Sequence, residues 1–313
     1  MATYYVRNDG SNSNTGTGPA TNQAWQTVTY ALANMVLTTG TNYLYIAPGV
    51  YRETPTVTIT PSSTQTLVIS GDPTAAQFSG VTAGVVRLTN YTSDTTDPTS
   101  SNILTISGKT YITIQNIFIE QYSTSGVLFM IQGASNPDYI TVEKCVFSGQ
   151  DNGTLRAGGI SISSSTTVNQ ITITKCTFVR TYIGINFISS ASSSTLQNLA
   201  CSGSLFMGCD YSMNIEGSGL ARTVYNCTFL FSDRFGVNAS GAQAGGTGVY
   251  NCLFYGGGTA LATSGVGITE NYNRMISCTP RTNVSPSGAN SQTTGVAGVD
   301  IAYGSLTGIA NQQ

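Results

Sequence analysis

The sequence predicts an all-β fold, a parallel β-helix solenoid closed at its N-terminal end by a helix. Three observations carry this reading. A strand-like phrase recurs as ITIQNIFI, ITVEKCVF, ITITKCTF, LACSGSLF, TVYNCTFL and GVYNCLFY. Its anchors Ile117, Cys145, Cys176, Ser204, Cys227 and Cys252 are separated by 28, 31, 28, 23 and 25 residues, a spacing typical of stacked repeat units. Within each phrase the apolar positions alternate in twos, which places them on strands and not on helices.

Residues 1–55 read as a capping module. Thr3-Tyr4-Tyr5-Val6 is a short strand, and NDGSNSNTGTG is a long polar turn. A helix is expected from Gln23 to Met35, with Trp25, Val28, Leu32 and Met35 on one apolar stripe and Asn22 or Thr21 as its cap. A strand at Tyr43–Ile46 and the turn Ala47–Tyr51 lead into the coils. The helix is expected to cover the open end of the solenoid, whose bare core and strand edges would otherwise meet solvent.

Residues 56–275 read as about eight coils. Each later coil pairs a Cys/Phe strand with a second strand: Gly126–Ile131, Gly159–Ser163, Gly184–Ile188, Tyr211–Glu216, Gly236–Ser240 and Thr259–Thr263. In these strands Ile160, Ile162, Ile185, Phe187, Met213 and Ile215 are expected to point inward. Ser161, Asn186, Asn214 and Asn238 are expected outside in a row, and the three asparagines are ligand-binding candidates. Phe178, Phe229 and Phe254 share a face with the cysteines before them, giving inward files of Phe and Cys. Asn116, Asn226 and Asn251, one residue before the anchors, suit an amide ladder at a corner. Residues 276–313 lose the period and are expected to form a C-terminal arm or tail, with Val299, Ile301, Tyr303, Leu306 and Ile309 favouring an arm that orders on a neighbour.

Composition narrows the function. Of 313 residues, 40% are hydrophobic and 8% charged, against ~25% charged for ordinary domains. A net charge of −2 offers nothing to nucleic acid or anionic lipid. No stretch of ~18 apolar residues suggests a membrane span. MATYYVRNDG has neither a basic nor an apolar leader region, which points to assembly inside a cell. Seven cysteines cannot all pair in one chain, and reduced, buried thiols are expected. With no His and no CxxC, no metal site and no cofactor is expected. Asp9, within NDGSNSNTG, reads as a turn residue, since one carboxylate makes a poor Ca²⁺ loop.

YYVRNDGSN, AWQTVTYALANM and YLYIAPGVYRE, together with the xIxxCxF coils, resemble right-handed parallel β-helix proteins of the pectin-lyase-like superfamily. The resemblance covers residues 4–53 and extends through the coils to about residue 275. It implies a right-handed solenoid. It leaves function open among polysaccharide lyases, glycosidases, surface proteins and phage tailspikes. The family lyases carry Asp clusters with an Arg or Lys base, and the family glycosidases carry several Asp and a His; this chain departs from both patterns.

For an enzyme of this fold the candidate catalytic residues are Asp210, Asp233 and Glu216, with Arg180 and Arg234 in the same turn region. Asp210 and Asp233 lie 23 residues apart, about one coil, and are expected to stack. The seventeen tyrosines suit either a sugar-binding face or a protein interface. The favoured expectation is a structural or adhesive virion protein of a tailed phage: a decoration, spike or fibre component that contacts other virion proteins or copies of itself, as a possible homotrimer. The alternatives are a polysaccharide-degrading enzyme, such as a depolymerising tailspike, and a secreted or cell-surface carbohydrate-binding protein.

Overall fold

The computed structural model describes residues 1–91, 102–121, 126–133, 138–149, 157–164, 170–188, 195–216, 218–240, 246–264, 267–284 and 291–294. These residues form a right-handed parallel β-helix with three stacked faces. The first face comprises Thr3–Val6, Gly40–Ile46, Gln65–Gly71, Ile112–Gln115, Ile140–Glu143, Ile171–Thr174, Thr195–Ser202, Ser218–Tyr225, Thr247–Tyr250 and Ile268–Asn271. The second comprises Gly49–Arg52, Val86–Thr89, Phe118–Glu120, Val146–Ser148, Thr177–Val179, Leu205–Met207, the starts of Thr228–Ser240 and Leu253–Ser264, then Arg274–Ile276 and Gln292–Thr294. The third comprises Thr56–Val57, Leu104–Ser107, Val127–Gly133, Gly158–Ser164, Ile183–Ile188, Tyr211–Glu216, the ends of the two long strands, and Thr279–Thr282. All of these pairings are parallel, and nine coils present all three faces among the described residues.

Two inward files run through the core beside the aliphatic residues of the first and third faces. Phe147, Phe178, Phe206, Phe229 and Phe254 stack with ring centroids 5.0, 4.6, 4.9 and 4.6 Å apart, and Phe129 meets the end of the file at 6.5 Å. These rings need empty space beside them. A Cβ at Gly184 would meet the Phe206 ring at 2.8 Å and the Ser212 carbonyl at 2.6 Å, and a Cβ at Gly236 would meet the Phe254 ring at 2.7 Å. The second file turns the corner from first to second face. Here a residue in the left-handed region (Asn116, Lys144, Lys175, Gly203, Asn226, Asn251) precedes the anchor. The thiols of Cys145, Cys176, Cys227 and Cys252 donate to backbone carbonyls two residues back, at 3.2–3.4 Å. Each also reaches a carbonyl of the preceding coil. Ser204 and Asn273 occupy the same file and serve the same corner, accepting from the backbone N–H of Cys176 and Cys252 respectively. Burial pushes the Cys145 thiol up to about 12, and raises Cys176 and Cys209 as well. The corner amide ladder is present at Asn251, whose Nδ2 donates to Asn226 Oδ1.

The helix α1 is shorter than the apolar spacing predicts. It spans Val28–Asn34, is capped by Thr27 and not by Asn22 or Thr21, and buries Val28, Ala31 and Leu32. Trp25 lies before it, bridging to Val6 and stacking on Tyr4 at 5.2 Å. The start is fixed by distant residues. Asn12 Oδ1 accepts from the N–H of Gln26 and Thr27, and the Glu53 carboxylate accepts from Val28 and Thr29, both at 2.8 Å. A carboxylate there satisfies orphan donors and complements the helix dipole. Asp9 forms a bidentate pair with the buried Arg7, which also donates to the carbonyls of Pro19 and Ser79. That partner explains the carboxylate at a position that superficially suits a cation loop.

The stack continues past residue 275. Arg274–Ile276, Thr279–Thr282 and Gln292–Thr294 add rungs in register, with Met275 taking the Phe place. The expected arm residues 299–309 lie outside the described residues.

Candidate functional site

The candidate site is the outer corner between the second and third faces in the fifth to eighth coils. Left-handed residues turn the chain here: Arg180, Gly208, Phe231 and Gly256 have φ of 50, 62, 53 and 66°. The seventh coil carries one residue more than its neighbours. Leu230 aligns with Met207 and Phe235 with Tyr211, so five steps oppose four, and the register shifts again between Ser232 and Phe235 on the other side. This bulge is accommodated by Gly256-Gly257-Gly258 in the next coil. A Cβ on Gly257 would meet the Ser232 carbonyl at 2.2 Å, and one on Gly258 would meet the Arg234 carbonyl at 2.4 Å.

The bulge changes which residues meet. The N–H of Asp233 bonds to Cys209 O and that of Arg234 to Asp210 O. Arg234, and not Asp233, therefore lies over Asp210. Its Nε sits 3.2 Å from Asp210 Oδ1, its Nη1 donates to the Tyr211 hydroxyl at 3.1 Å, and its guanidinium lies 5.5 Å from the Tyr211 ring centroid. The Tyr211 hydroxyl, and then the Asp210 charge, push the Arg234 pKa up. Asp210 is largely buried, whereas Asp233 and Arg234 are exposed. Two separate groups of aromatic side chains make up the ridge of this corner, one beside the pair and one toward the next coil. Tyr182 packs edge-on to Tyr211 at 5.9 Å, Tyr211 lies 5.4 Å from Phe235, and the exposed Phe231 packs edge-on to Tyr255 at 5.5 Å.

Glu216 is not part of this cluster. It ends the strand that Asp210 precedes, six residues on, so ~20 Å separates them at ~3.3 Å per residue. Paired glycosidase carboxyl groups stand ~5–10 Å apart. The trio Asp210, Asp233 and Glu216 thus does not assemble at one place, and Arg234 takes the position expected for Asp233.

The asparagine row exists as drawn from the sequence, but it is internally bonded. Asn214 Nδ2 donates to Asn186 Oδ1 at 3.0 Å, and Asn238 Nδ2 to Asn214 Oδ1 at 2.8 Å. Asn214 Nδ2 also donates to Glu216 Oε1. The row is an axial amide ladder with Asn214 buried, which leaves it fewer groups for a ligand. The aromatic ridge was missed as a unit. Its sequence signal is FSDRF set against YGGGT one coil later: an insertion facing a run of glycines.

No group of three or more potential metal ligands is present among the described residues, and no helix there is long and apolar enough to cross a membrane. No protein-family profile matches the chain, and no curated protein matches it in sequence. Solved structures do resemble it. A GH136 lacto-N-biosidase from Eubacterium ramulus shares 10% identity at a TM-score of 0.54, over 93% of this chain and 68% of that one. Pectate lyase Pel9A shares 13% identity at a TM-score of 0.54, over 98% of this chain and 84% of that one. At such identities the likeness is one of fold, the parallel β-helix.

Proposed function

We propose that this chain is a non-enzymatic, adhesive solenoid that engages a surface polysaccharide through the corner ridge, as a spike, fibre or decoration component of a tailed-phage virion. The observation that carries the reading is the ridge itself. Tyr182, Tyr211 and Phe231 offer amphipathic and apolar ring surface on one rigid corner, and the Arg234–Asp210 pair among them supplies donors and acceptors for hydroxyl groups. Aromatic surface with a few fixed polar groups is the usual make-up of a ligand-binding surface. Titration calorimetry against a panel of bacterial surface polysaccharides tests it. A binder whose affinity falls at least tenfold in Tyr211→Ala supports the proposal, and a panel without a single binder refutes it.

A second reading is a depolymerising enzyme, favoured by a largely buried Asp210 with Asp233 one rung away. Release of reducing ends or unsaturated products that disappears in Asp210→Asn selects that reading. The virion setting is tested separately, by mass spectrometry of purified particles.

A further inference from the structure

The charges of the corner cancel. From Arg180 to Ser264, a span that takes in every residue of the ridge, the chain carries three cationic and three anionic side chains: Arg180, Arg222 and Arg234 against Asp210, Glu216 and Asp233. Arg222 is buried in the stack, and Glu216 accepts from Asn214 at the far end of its strand. That leaves Arg180, Arg234, Asp210 and Asp233 at the ridge, two of each sign. Arg180 and Asp233 are exposed. Arg234 and Asp210 are engaged with each other, and the Asp210 side chain is only 11% exposed.

We infer that the polymer taken by the ridge is uncharged: a polysaccharide of hexoses or N-acetylhexosamines without carboxylate, sulfate or phosphate groups. The inference rests on the glycan-binding reading and names its ligand class. Arg234 already shares its guanidinium between Asp210 and the Tyr211 hydroxyl. An anionic group drawn to its remaining N–H donors would come to rest beside the Asp210 carboxylate, and like charges in a partly desolvated site repel strongly. A hydroxyl meets no such cost. It donates to a carboxylate and accepts from a guanidinium, so neighbouring sugar hydroxyls suit both halves of the ion pair. The half-buried rings of Tyr182, Tyr211 and Phe235 suit the same ligand. They offer apolar surface to the C–H faces of sugar rings, and a charged substituent laid there would lose water without gaining a counter-ion. An acidic polymer also repeats its charge along its length. At the ridge only Arg180 and Asp233 stand outside an ion pair among the described residues, and they are of opposite sign.

Titration calorimetry of the full chain against two sets of probes tests the inference. The neutral set is a galactan, a mannan, a β-glucan and a poly-N-acetylglucosamine; the acidic set is hyaluronan, alginate, polysialic acid and a glycerol-phosphate teichoic acid. Only binding that Tyr211→Ala weakens is scored, which places it at the ridge. Every such binder is expected to be neutral. Its affinity should change less than about twofold between about 0.1 and 1 M salt, over which the screening length falls from ~10 to ~3 Å. Converting the primary hydroxyls of that binder to carboxylates should weaken it about tenfold or more at the lower salt. Tighter binding of an acidic probe, a carboxylated derivative that binds as well as its parent, or an affinity that collapses at high salt overturns the inference while the ridge remains a glycan site. A panel with no such binder of either kind instead refutes the glycan reading, and this inference falls with it, so the two failures are distinguishable.

Discussion

Truncating Phe206 to Ala tests the central packing argument. Phe206 is fully buried, with Phe178 at 4.6 Å on one side and Phe229 at 4.9 Å on the other. Phe→Ala in a packed core costs about 3–5 kcal/mol, and each aromatic pair adds roughly 0.5–1.5 kcal/mol beyond area burial. Because the lost ring leaves two stacking partners facing a void, Phe206→Ala should cost about 4–6 kcal/mol. Phe129 ends the file with a ring neighbour at 6.5 Å, so Phe129→Ala should cost about 3–4 kcal/mol. Urea titration of both, beside the surface control Thr172→Ala, gives the comparison. Hydrogen exchange should place the Phe206 loss in its own coil and the adjacent two, since a solenoid transmits stability between neighbours. A Phe206→Ala cost at or below that of Phe129→Ala would refute the view that the file acts as a continuous stack.

Gly184→Ala should destabilise by about 1–3 kcal/mol through overpacking against Phe206 and Ser212, whereas Gly267→Ala, with open space around its Cβ position, should stay within about 0.5 kcal/mol; thermal unfolding of both checks the contrast. Alkaline pH should weaken the fold. The folded Cys145 holds its proton to about 12, while an unfolded thiol releases it near ~8.5, so the unfolded state binds fewer protons in that window and stability falls as pH rises. The expected slope from Cys145 is on the order of 1 kcal/mol per pH unit, read by denaturant titration in reducing buffer. At the acid end, the Arg7 hydrogen bonds hold the Asp9 pKa below its ordinary value, so the pair stabilises above the ordinary carboxylate range and this contribution is lost as pH falls through the depressed value. Asp9→Asn, which leaves the buried guanidinium short of its counter-charge, should cost about 1–3 kcal/mol at neutral pH and flatten that acid limb.

The core was legible in the sequence because each rung repeats the same demand. An anchor closing the corner and a Phe two residues on give a period that no single strand would reveal. Where the demand is met by other residues, the reading stopped early: Ser204 kept the anchor visible, but Met275 in place of Phe and Asn273 in place of Cys hid the later rungs. The helix start was illegible for a different reason. The apolar spacing from Trp25 onward is helical, yet Asn12 and Glu53 fix where the backbone N–H groups find partners, and those residues lie fourteen and twenty-five positions from the first groups they hold. The site was half legible. Its region was marked by Asp210, Asp233 and Arg234, but a one-residue bulge decides which of them meet, and a coil spacing of 23 residues does not reveal where within the coil the extra residue falls.

That bulge also explains why binding chemistry would collect at a corner of this fold rather than on a face. On the faces, polar side chains stack at one strand spacing and satisfy each other, as Asn186, Asn214 and Asn238 do, so a substitution there disturbs a ladder. At a corner the chain already leaves the sheet through a left-handed residue, and an inserted residue costs little if the next coil yields. Gly256, Gly257 and Gly258 yield in that way, because a Cβ on Gly257 or Gly258 would run into the carbonyls of the bulge and one on Gly256 into the Phe231 ring. The result projects Phe231 and Arg234 outward on a scaffold whose core remains unbroken beneath, with Phe229 still stacked on Phe254 at 4.6 Å. Closing the bulge by deleting Asp233 should therefore move Arg234 off Asp210 while leaving the Phe stack intact. Loss of glycan binding with unchanged unfolding free energy would separate the corner's function from the solenoid's stability. A large loss of stability would show instead that the bulge is part of the core.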